Sequence, residues 1–174
     1  AFIQSLSSRH LYHKSWNYIQ PGCFRTDRLK EYVLSPEDSD AIKCKFNISC
    51  SSLKIWSKIY VKSSSSYVYA SFYKRLVRRN QSVIKYVQGE SYSFGSVKFF
   101  TTLETPTGEV SVAVVKPFHL IDIYNERDHI HCLNNESCDK AEVIPIGDVL
   151  GSCIYIQIEN NHYVCEVPNR YDKD

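Results

Sequence analysis

Three segments near the end of the chain decide the fold class: residues 141–146 (AEVIPI), 152–156 (SCIYI) and 162–169 (HYVCEVPN). In these segments apolar and polar residues alternate, and many residues are β-branched or aromatic. Gly147 and the run Glu159-Asn160-Asn161 separate them. Alternation with a period of two, interrupted by turn residues, is typical of short antiparallel strands, and the last two segments form a predicted hairpin.

Strand signals of this kind recur throughout the chain from residue 52 onward. The predicted strands lie at 53–62, 66–74, 82–88, 94–103, 110–116, 118–124, 128–133, 141–146, 152–158 and 162–167. The sequence TPTGE at 105–109 predicts a hairpin loop, and Pro117 is expected to end the strand after it. Gly89 marks a further turn, residues 146–151 predict a single helical turn, and Gly95 is expected to let two backbones approach closely.

The first fifty residues show a different hydrophobic pattern from the rest of the chain. Apolar residues at helical spacing predict one or two short helices that end at Pro21-Gly22; these residues are Phe2, Ile3, Leu6, Leu11, Tyr12, Trp16 and Ile19. The acidic run SPEDSD at 35–40 predicts a turn. We therefore predict a helical or irregular N-terminal extension at 1–50 and a β-rich, barrel-like domain at 51–174. The fold class is all-β or β-dominated, a partly open antiparallel barrel or a sandwich with short N-terminal helices.

The composition is that of a soluble globular domain. The chain has 174 residues, of which 43% are hydrophobic and 23% charged, which suits one buried core. No apolar run approaches the ~20 residues that cross a bilayer, so no membrane partner is expected. A net charge of +2 does not favour a protein that is basic over its whole surface. Because the chain contains no methionine, we expect it to be a piece of a larger parent protein.

The cysteines and the sequons point to different compartments. Seven cysteines is an odd number, and residues such as Cys153 and Cys165 sit within apolar strand patterns, which favours free thiols in a reducing compartment. Three Asn-x-Ser sequons, at Asn47, Asn80 and Asn135, favour the alternative of a secreted, disulfide-bonded interaction domain.

A basic and aromatic block at 67–80 (YVYASFYKRLVRRN) is the strongest candidate for binding a partner. It carries four cations within six residues, which suit the neutralisation of phosphates, and its aromatic residues suit stacking on bases. In the alternative interpretation, the aromatic residues fill the core and the cations are simply solvated. The candidate nucleic-acid-binding residues are Lys74, Arg75, Arg78, Arg79 and Lys85 for phosphates, with Tyr73 and Tyr86 for stacking.

Residues 129–138 (HIHCLNNESC) form the one constellation that resembles a metal site. His129 and His131 are two residues apart in a predicted strand and therefore project to the same face. Zinc would need Cys138 to fold back, plus a fourth ligand such as His119 or His162. Standard zinc modules pair their ligands as Cys-x2–4-Cys, and this spacing does not match them. We therefore expect no cofactor, and zinc bound by these residues is the alternative.

The many aromatic residues allow a second kind of site, a cage for a methylated lysine of a histone or another peptide. The candidate walls are Trp56, Tyr60, Tyr92, Phe94, Phe99, Phe100 and Tyr124. Such residues also form core and cross-strand pairs, which is the alternative role.

Catalytic signatures are missing, since the chain has no Gly-x-Ser-x-Gly elbow and no phosphate-binding loop. We therefore do not expect an enzyme.

Several segments in order resemble a known family. They are residues 79–86 (RNQSVIKY), 94–100 (FGSVKFF), 143–146 (VIPI), 153–156 (CIYI) and 163–169 (YVCEVPN). This order resembles a C-terminal domain of animal proteins related to CACTA-type cut-and-paste DNA transposases. There, Arg-x-Asn-Ser-x-Val-x-Tyr, Tyr-Gly-x-Ile-x-x-Phe and Tyr-Val-Cys-x-x-Pro-Asn elements follow one another. In this chain Gln81 interrupts the first element, and Phe94 replaces the tyrosine of the second.

The resemblance covers residues 53–174 and implies a non-catalytic role beside a nuclease core outside this chain. The family domain is loosely similar to a bromo-adjacent-homology barrel, which binds nucleosomes or histone tails. No catalytic residue is carried over, because the matching positions are glycine, aromatic and aliphatic residues that build strands. The predicted function is thus a nuclear, non-catalytic DNA- or chromatin-binding module of a transposase-derived protein. An aromatic-cage histone or peptide reader is the alternative.

Overall fold

The computed structural model describes residues 16–71, 82–125, 129–133 and 140–166, without the side chains of 121–125. The strands are β1 (Asn17–Gln20), β2 (Cys23–Arg25), β3 (Lys30–Val33), β4 (Ser52–Trp56), β5 (Lys58–Val61), β6 (Ser66–Tyr69), β7 (Val83–Gln88), β8 (Ser91–Thr105), β9 (Gly108–Pro117), β10 (Leu120–Asn125), β11 (Ile130–Leu133), β12 (Glu142–Pro145), β13 (Val149–Ile158) and β14 (Asn161–Glu166). One α-helix, α1, spans Pro36–Phe46, and a 3-10 helix spans Ile146–Asp148.

The strands form two antiparallel sheets. The small sheet has the order β1-β2-β5-β6. The large sheet has ten strands, with the order β10-β11-β14-β13-β7-β8-β4-β3, while β9 pairs with β8 and β12 with β9. Within the described residues these sheets do not close into a barrel. The β-dominated class predicted from the sequence is confirmed, as a sandwich-like arrangement, and each predicted strand position contains at least one strand.

The main core lies between the two sheets. Ile59, Val61 and Val68 of the small sheet pack with buried residues of the large sheet that include Val97 and Phe100. Because side chains alternate along a strand, this packing leaves the other face of the small sheet pointing away from the core. That outer face carries the candidate site described below.

Strand β9 is buried on both of its faces. Val112 and Val114 belong to a second core cluster, which also contains Ile42 of α1. Ala113 and Val115 belong to the core between the sheets. A strand covered on both sides reads as a continuous apolar run rather than as an alternating one, which explains the sequence VAVV at 112–115.

The chain passes from one sheet to the other at Ser57. The predicted strand 53–62 is therefore two strands, because β4 pairs within the large sheet and β5 within the small sheet. The Asp27 carboxylate holds this corner by accepting hydrogen bonds from the Ser57 backbone N at 3.0 Å, the Ser57 Oγ at 2.5 Å and the Lys58 backbone N at 3.2 Å.

The described part of the N-terminal region departs from the prediction. Residues 17–20 form a strand instead of a helix, and Pro21-Gly22 is the turn of the β1–β2 hairpin, with Gly22 at φ +77°. The acidic run at 35–40 begins α1, where the Ser35 side chain accepts from the Asp38 backbone N at 3.2 Å. Since β2 pairs with β5 and β3 with β4, residues 17–33 are parts of the two sheets rather than an extension. The helices predicted within 1–15 lie outside the described residues.

Six cysteines lie in the described residues, and none of them forms a disulfide: Cys23, Cys44, Cys50, Cys132, Cys153 and Cys165. Burial raises the pKa values of Cys23 and Cys153 to about 12, so both thiols stay protonated at neutral pH.

Over the described ranges, no helix combines the length and the apolar character needed to cross a bilayer.

Candidate nucleic-acid interface

A row of four aromatic residues crosses the small sheet from edge to edge. The strand register places Tyr18 of β1 opposite Phe24 of β2, Phe24 opposite Tyr60 of β5, and Tyr60 opposite Tyr67 of β6. Their neighbours along the strands, such as Ile59 and Val68, point into the core. The row therefore lies on the outer face of the sheet, because adjacent residues of a strand point to opposite sides.

Two further rings extend this row into a surface. We use "aromatic face" for Trp16, Tyr18, Phe24, Tyr60, Tyr67 and Tyr69. The ring centroids of Trp16 and Tyr60 are 4.9 Å apart, those of Tyr60 and Tyr67 5.2 Å, and those of Tyr67 and Tyr69 6.3 Å. At the β1 end, the rings of Tyr18 and Phe24 are 6.1 Å apart with an angle of 73° between their planes. Rings at these distances pack against one another, and this packing holds the shape of the surface.

The aromatic face remains open to solvent over much of its extent. Tyr18 is 66% exposed, while Trp16, Phe24, Tyr67 and Tyr69 are partly exposed. Tyr60 is 9% exposed, because it lies beneath the other rings. An exposed aromatic surface on a rigid sheet is suited to stacking against flat ligands such as nucleic-acid bases.

A cation lies on the same surface. The Lys58 Nζ is 4.4 Å from the ring centroid of Tyr67 and 5.3 Å from that of Tyr69. Both distances are within the range of a cation–π interaction. Burial raises the pKa of the Tyr67 hydroxyl, and Tyr60 raises it further, so the phenol stays neutral and does not repel an anionic ligand. The face therefore combines flat apolar surface with positive charge.

The net charge of the chain conceals a strong local asymmetry. Residues 16–28 and 57–79, which include the strands of the small sheet, contain eight Lys or Arg and a single acid, Asp27, a net charge of +7. The whole chain carries +2, so the remaining residues carry −5. Asp27 is already occupied by its hydrogen bonds to Ser57 and Lys58. The positive charge of the chain is thus concentrated in the segments that build the aromatic face and follow it.

Most of the basic block predicted from the sequence falls outside the described residues: Tyr73, Lys74, Arg75, Arg78 and Arg79. The described residues on either side of it do show where it attaches. The Ser71 backbone N donates to the Val97 carbonyl at 2.8 Å, and the Val97 backbone N donates to the Ser82 carbonyl at 2.8 Å. Ser71 and Ser82 are thus both held beside Val97, and the cations of the block, residues 74–79, follow in sequence after β6, the strand that carries Tyr67 and Tyr69.

The other two predicted contact residues lie in the large sheet, on β7. Tyr86 is 1% exposed, and its hydroxyl donates to the Glu142 carboxylate at 2.8 Å. It is a core residue, so the expected stacking role is corrected. Lys85 forms an ion pair with Glu166, and its Nζ lies 4.3 Å from the ring centroid of Tyr92. Its charge is therefore balanced locally and does not join the aromatic face.

His129 and His131, the two histidines of the candidate metal site, both lie close to the carboxylate of Glu166. The His131 Nε2 lies 3.1 Å and the His129 Nδ1 3.6 Å from the Glu166 Oε2. The Lys85 Nζ forms an ion pair with the other oxygen of that carboxylate, Oε1, and the His162 ring is hydrogen-bonded to the Tyr155 hydroxyl. Cys138 lies outside the described residues, within which no group of three or more His, Cys, Asp or Glu is placed to hold a metal ion. The geometry among the described residues is that of a hydrogen-bonded polar network.

The aromatic cage does not form from the residues proposed for it. Trp56, Phe94, Phe99 and Phe100 are buried members of the core clusters, so they offer no wall to a ligand. Among the proposed walls, Tyr60 is the described residue that belongs to the aromatic face. The side chain of Tyr124 is outside the described residues.

Sequence reasoning missed the β1–β2 half of the site. Tyr67 and Tyr69 belong to the predicted basic and aromatic block, but Trp16, Tyr18 and Phe24 were assigned to a helical region or to no site. Their signal is the alternation of aromatic residues at 16 and 18, which matches that at 67 and 69. Only the register of the small sheet shows that these distant segments share one face.

Comparison with known proteins gives no relative from which a function is inherited. No protein-family model, curated protein or solved structure matches this chain. The resemblance to transposase-related domains therefore stays a prediction, and the functional argument depends on the geometry of the aromatic face.

Proposed function

We propose that this chain is a non-catalytic nucleic-acid-binding module, and that the aromatic face is its base-stacking surface. The observation that carries the proposal is the in-register row Tyr18–Phe24–Tyr60–Tyr67, with Lys58 beside it. Stacking of a base on an aromatic side chain contributes about 1–3 kcal/mol, and neighbouring cations contact the phosphates.

The proposed ligand has unpaired bases. In a duplex each base is stacked between its neighbours and shows only its edges in the grooves, so its flat face is not available to a protein ring. In a single strand the faces can be splayed onto aromatic residues. Single-stranded DNA or RNA therefore fits the aromatic face better than duplex DNA does.

The cations of the basic block are proposed to hold the backbone of the same strand. Lys74, Arg75, Arg78 and Arg79 follow β6 within ten residues of Tyr69, so they are close in sequence to the stacking surface. Together with Lys58 they provide five positive charges for phosphates. A role beside the nuclease core of a transposase-derived protein is part of this proposal, and it is supported by the family resemblance of residues 53–174.

Fluorescence anisotropy with labelled oligonucleotides tests the proposal. We expect the chain to bind an oligothymidine strand and single-stranded RNA more tightly than a duplex of equal length. Affinity should fall with rising salt, since phosphate contacts release counterions. Binding that is equal for duplex and single strand, or absent at low salt, would contradict the proposal.

A matched pair of variants assigns the binding to the aromatic face. Tyr18→Ala removes a ring that is 66% exposed, and Tyr92→Ala removes one that is 57% exposed on the large sheet. We expect Tyr18→Ala to weaken binding of the single strand about tenfold, in line with the loss of one stacking contact. Tyr92→Ala should bind like the wild type. Equal loss in both variants would locate binding elsewhere.

A peptide reader is the second candidate, because the aromatic face already attracts an ammonium group, that of Lys58. Trimethyl-lysine peptides in the same assay distinguish the two candidates. A reader would bind the methylated peptide more tightly than the unmodified one, with little dependence on salt. The contact between Trp16 and Tyr60, at 4.9 Å between centroids, leaves no room for a cation between their faces, which favours stacking on top of the surface.

A further inference from the structure

Strand β5 carries a lysine on each side of the aromatic row of the small sheet. Tyr60 is the β5 member of that row, and Lys58 and Lys62 lie two residues before and two residues after it. Lys62 follows the last residue of β5, but its backbone N still donates to the Gly22 carbonyl at 2.8 Å, so the pairing with the β1–β2 hairpin reaches it. Because alternate residues of a paired segment share a face, both lysines belong to the outer face that carries Tyr60.

The two sides of the row differ in their chemistry. On one side, the Lys58 Nζ lies 4.4 Å from the ring centroid of Tyr67 and 5.3 Å from that of Tyr69. Strand β6 ends at Tyr69 on this side, and the cations of the basic block follow it in sequence. On the other side, residues 62–65 join β5 to β6, and we call them the serine loop.

The serine loop presents hydrogen-bonding groups to solvent. The side chains of Lys62, Ser63 and Ser65 are exposed, and the loop contains no acidic residue. Within the part of the chain that the structure describes, Lys62 belongs to no ion pair. One ammonium group and two hydroxyls therefore line this side of the aromatic row.

The serine loop is held in place from below. The Ser64 Oγ lies 2.7 Å from the Ser66 Oγ, and a Cβ at Gly151 of β13 would lie 3.1 Å from the Ser64 Cβ. The missing side chain of Gly151 thus leaves the space that Ser64 packs against. The Ser65 backbone N donates to the Lys62 carbonyl at 3.0 Å, which closes the turn. A loop fixed in this way loses little conformational freedom when its outward side chains bind a ligand.

The two sides of the row suit the two sides of a splayed nucleic-acid strand. When the bases of a single strand stack on a protein surface, their hydrogen-bonding edges stay accessible to side chains. Phosphates suit the side of Lys58, because the cations of the basic block follow from that side. The edges of the bases are then left to the serine loop. Serine hydroxyls bind base edges of several kinds, and lysine favours the O6 and N7 acceptors of guanine.

We propose that Lys62, together with Ser63 and Ser65, binds the edge of a base stacked on the aromatic row and selects guanine there. This inference rests on the proposed function and adds a base preference to it. Guanine offers two acceptors to an ammonium group on the edge that carries O6 and N7. Thymine offers one acceptor on the corresponding edge, and cytosine offers an amino donor.

Fluorescence anisotropy with three labelled strands of equal length tests the preference. They are an oligothymidine strand and the same strand with one central guanine or one central cytosine. We expect the wild type to bind the guanine strand about fivefold or more tighter than the cytosine strand, as one specific base contact allows. Lys62→Met should reduce this preference below about twofold, with the affinity for oligothymidine and its salt dependence retained. Lys54→Met, at an exposed position of β4 in the large sheet, is the matched control and should keep the full preference.

Lys58→Met gives the contrasting pattern, since Lys58 is assigned to the phosphates. It should weaken all three strands alike and reduce the slope of affinity against salt, on logarithmic scales, by about 0.7, as for one lost phosphate contact. If Lys62→Met shows this pattern, or binds like the wild type, the assignment of Lys62 to a base edge is wrong. A wild type that binds the three strands equally would overturn this inference and leave the proposed function intact. A wild type that binds none of them would overturn both.

Discussion

Glu166 links three strands through one side chain, which makes it a suitable test at the scale of single residues. Its carboxylate, on β14, contacts Lys85 on β7 and His131 on β11. Burial acts to raise the pKa of Glu166, but the hydrogen bonds and positive charges of Lys85 and His131 outweigh it, so the pKa is lowered. A carboxylate with a lowered folded-state pKa contributes stability above the pKa of the unfolded chain, about 4.3, and loses it as the pH falls through the folded-state pKa.

We expect Glu166→Gln to lower the free energy of unfolding by about 1 kcal/mol at pH 7, a value suited to a partly exposed pair. The difference from the wild type should shrink as the pH falls below about 4, where the wild-type carboxylate also becomes neutral. Urea unfolding at pH 7, 5 and 3 measures both effects. The exposed Glu104→Gln is the control. A difference that is the same at pH 3 and pH 7 would show that the charge of Glu166 is not its cause.

A second residue-scale prediction concerns the ion pair under α1. Asp38 is fully buried, and the Lys98 Nζ lies 2.5 Å from its Oδ1. Lys98→Met leaves a buried carboxylate without its nearest partner, which costs about 3–5 kcal/mol. We expect a loss of this size in urea unfolding, against less than 1 kcal/mol for the exposed Lys116→Met. Similar losses in both variants would mean that the pair contributes little.

At the scale of elements, the approach of β8 to β9 depends on Gly95, as the sequence predicted. A Cβ at this position would lie 2.5 Å from the Val115 Cγ1 and 2.8 Å from the Lys116 carbonyl oxygen. Gly95→Ala should therefore cost about 1–3 kcal/mol, because buried atoms of β9 must move. Gly147→Ala is the control, since its Cβ would come closest to the flexible Gln20 amide, at 2.8 Å. Thermal unfolding compares the two, and equal stability would show that the strands adjust freely.

The elements also show what local sequence can and cannot determine. Local pattern located the strands from β7 to β14, by alternation for most of them and by a continuous apolar run for β9, because a strand's burial is visible in its own residues. The run at 35–40 was misread, because Ser and Asp favour turns and helix N-termini alike. Ser35 followed by Pro36 and Glu37 is also a pattern that begins helices, and here it begins α1. The break at Ser57 depends on Asp27, thirty residues earlier, so no local pattern reveals it.

At the scale of the whole molecule, the candidate site arises from distant segments. Tyr18 and Phe24 come from the N-terminal region, and Tyr60 and Tyr67 come from strands some forty residues later. The sequence indicated a basic and aromatic binding block and included Tyr67 and Tyr69 in it. The sequence could not indicate the aromatic row across the four strands of the small sheet, because the register between strands depends on packing across the sandwich. Likewise, the net charge of +2 gave no sign that residues 16–28 and 57–79 together carry +7.

The most direct measurement of the central claim is the fluorescence of Trp16 during binding of a single strand. The chain has two tryptophans, and Trp56→Phe removes the buried one, leaving Trp16 on the aromatic face as the only reporter. We predict that unlabelled oligothymidine quenches the emission of Trp16 in a saturable titration, with an affinity that falls as salt is raised. If the oligonucleotide binds by anisotropy while the emission of Trp16 stays unchanged, or if it does not bind at low salt, the aromatic face is not a base-stacking surface.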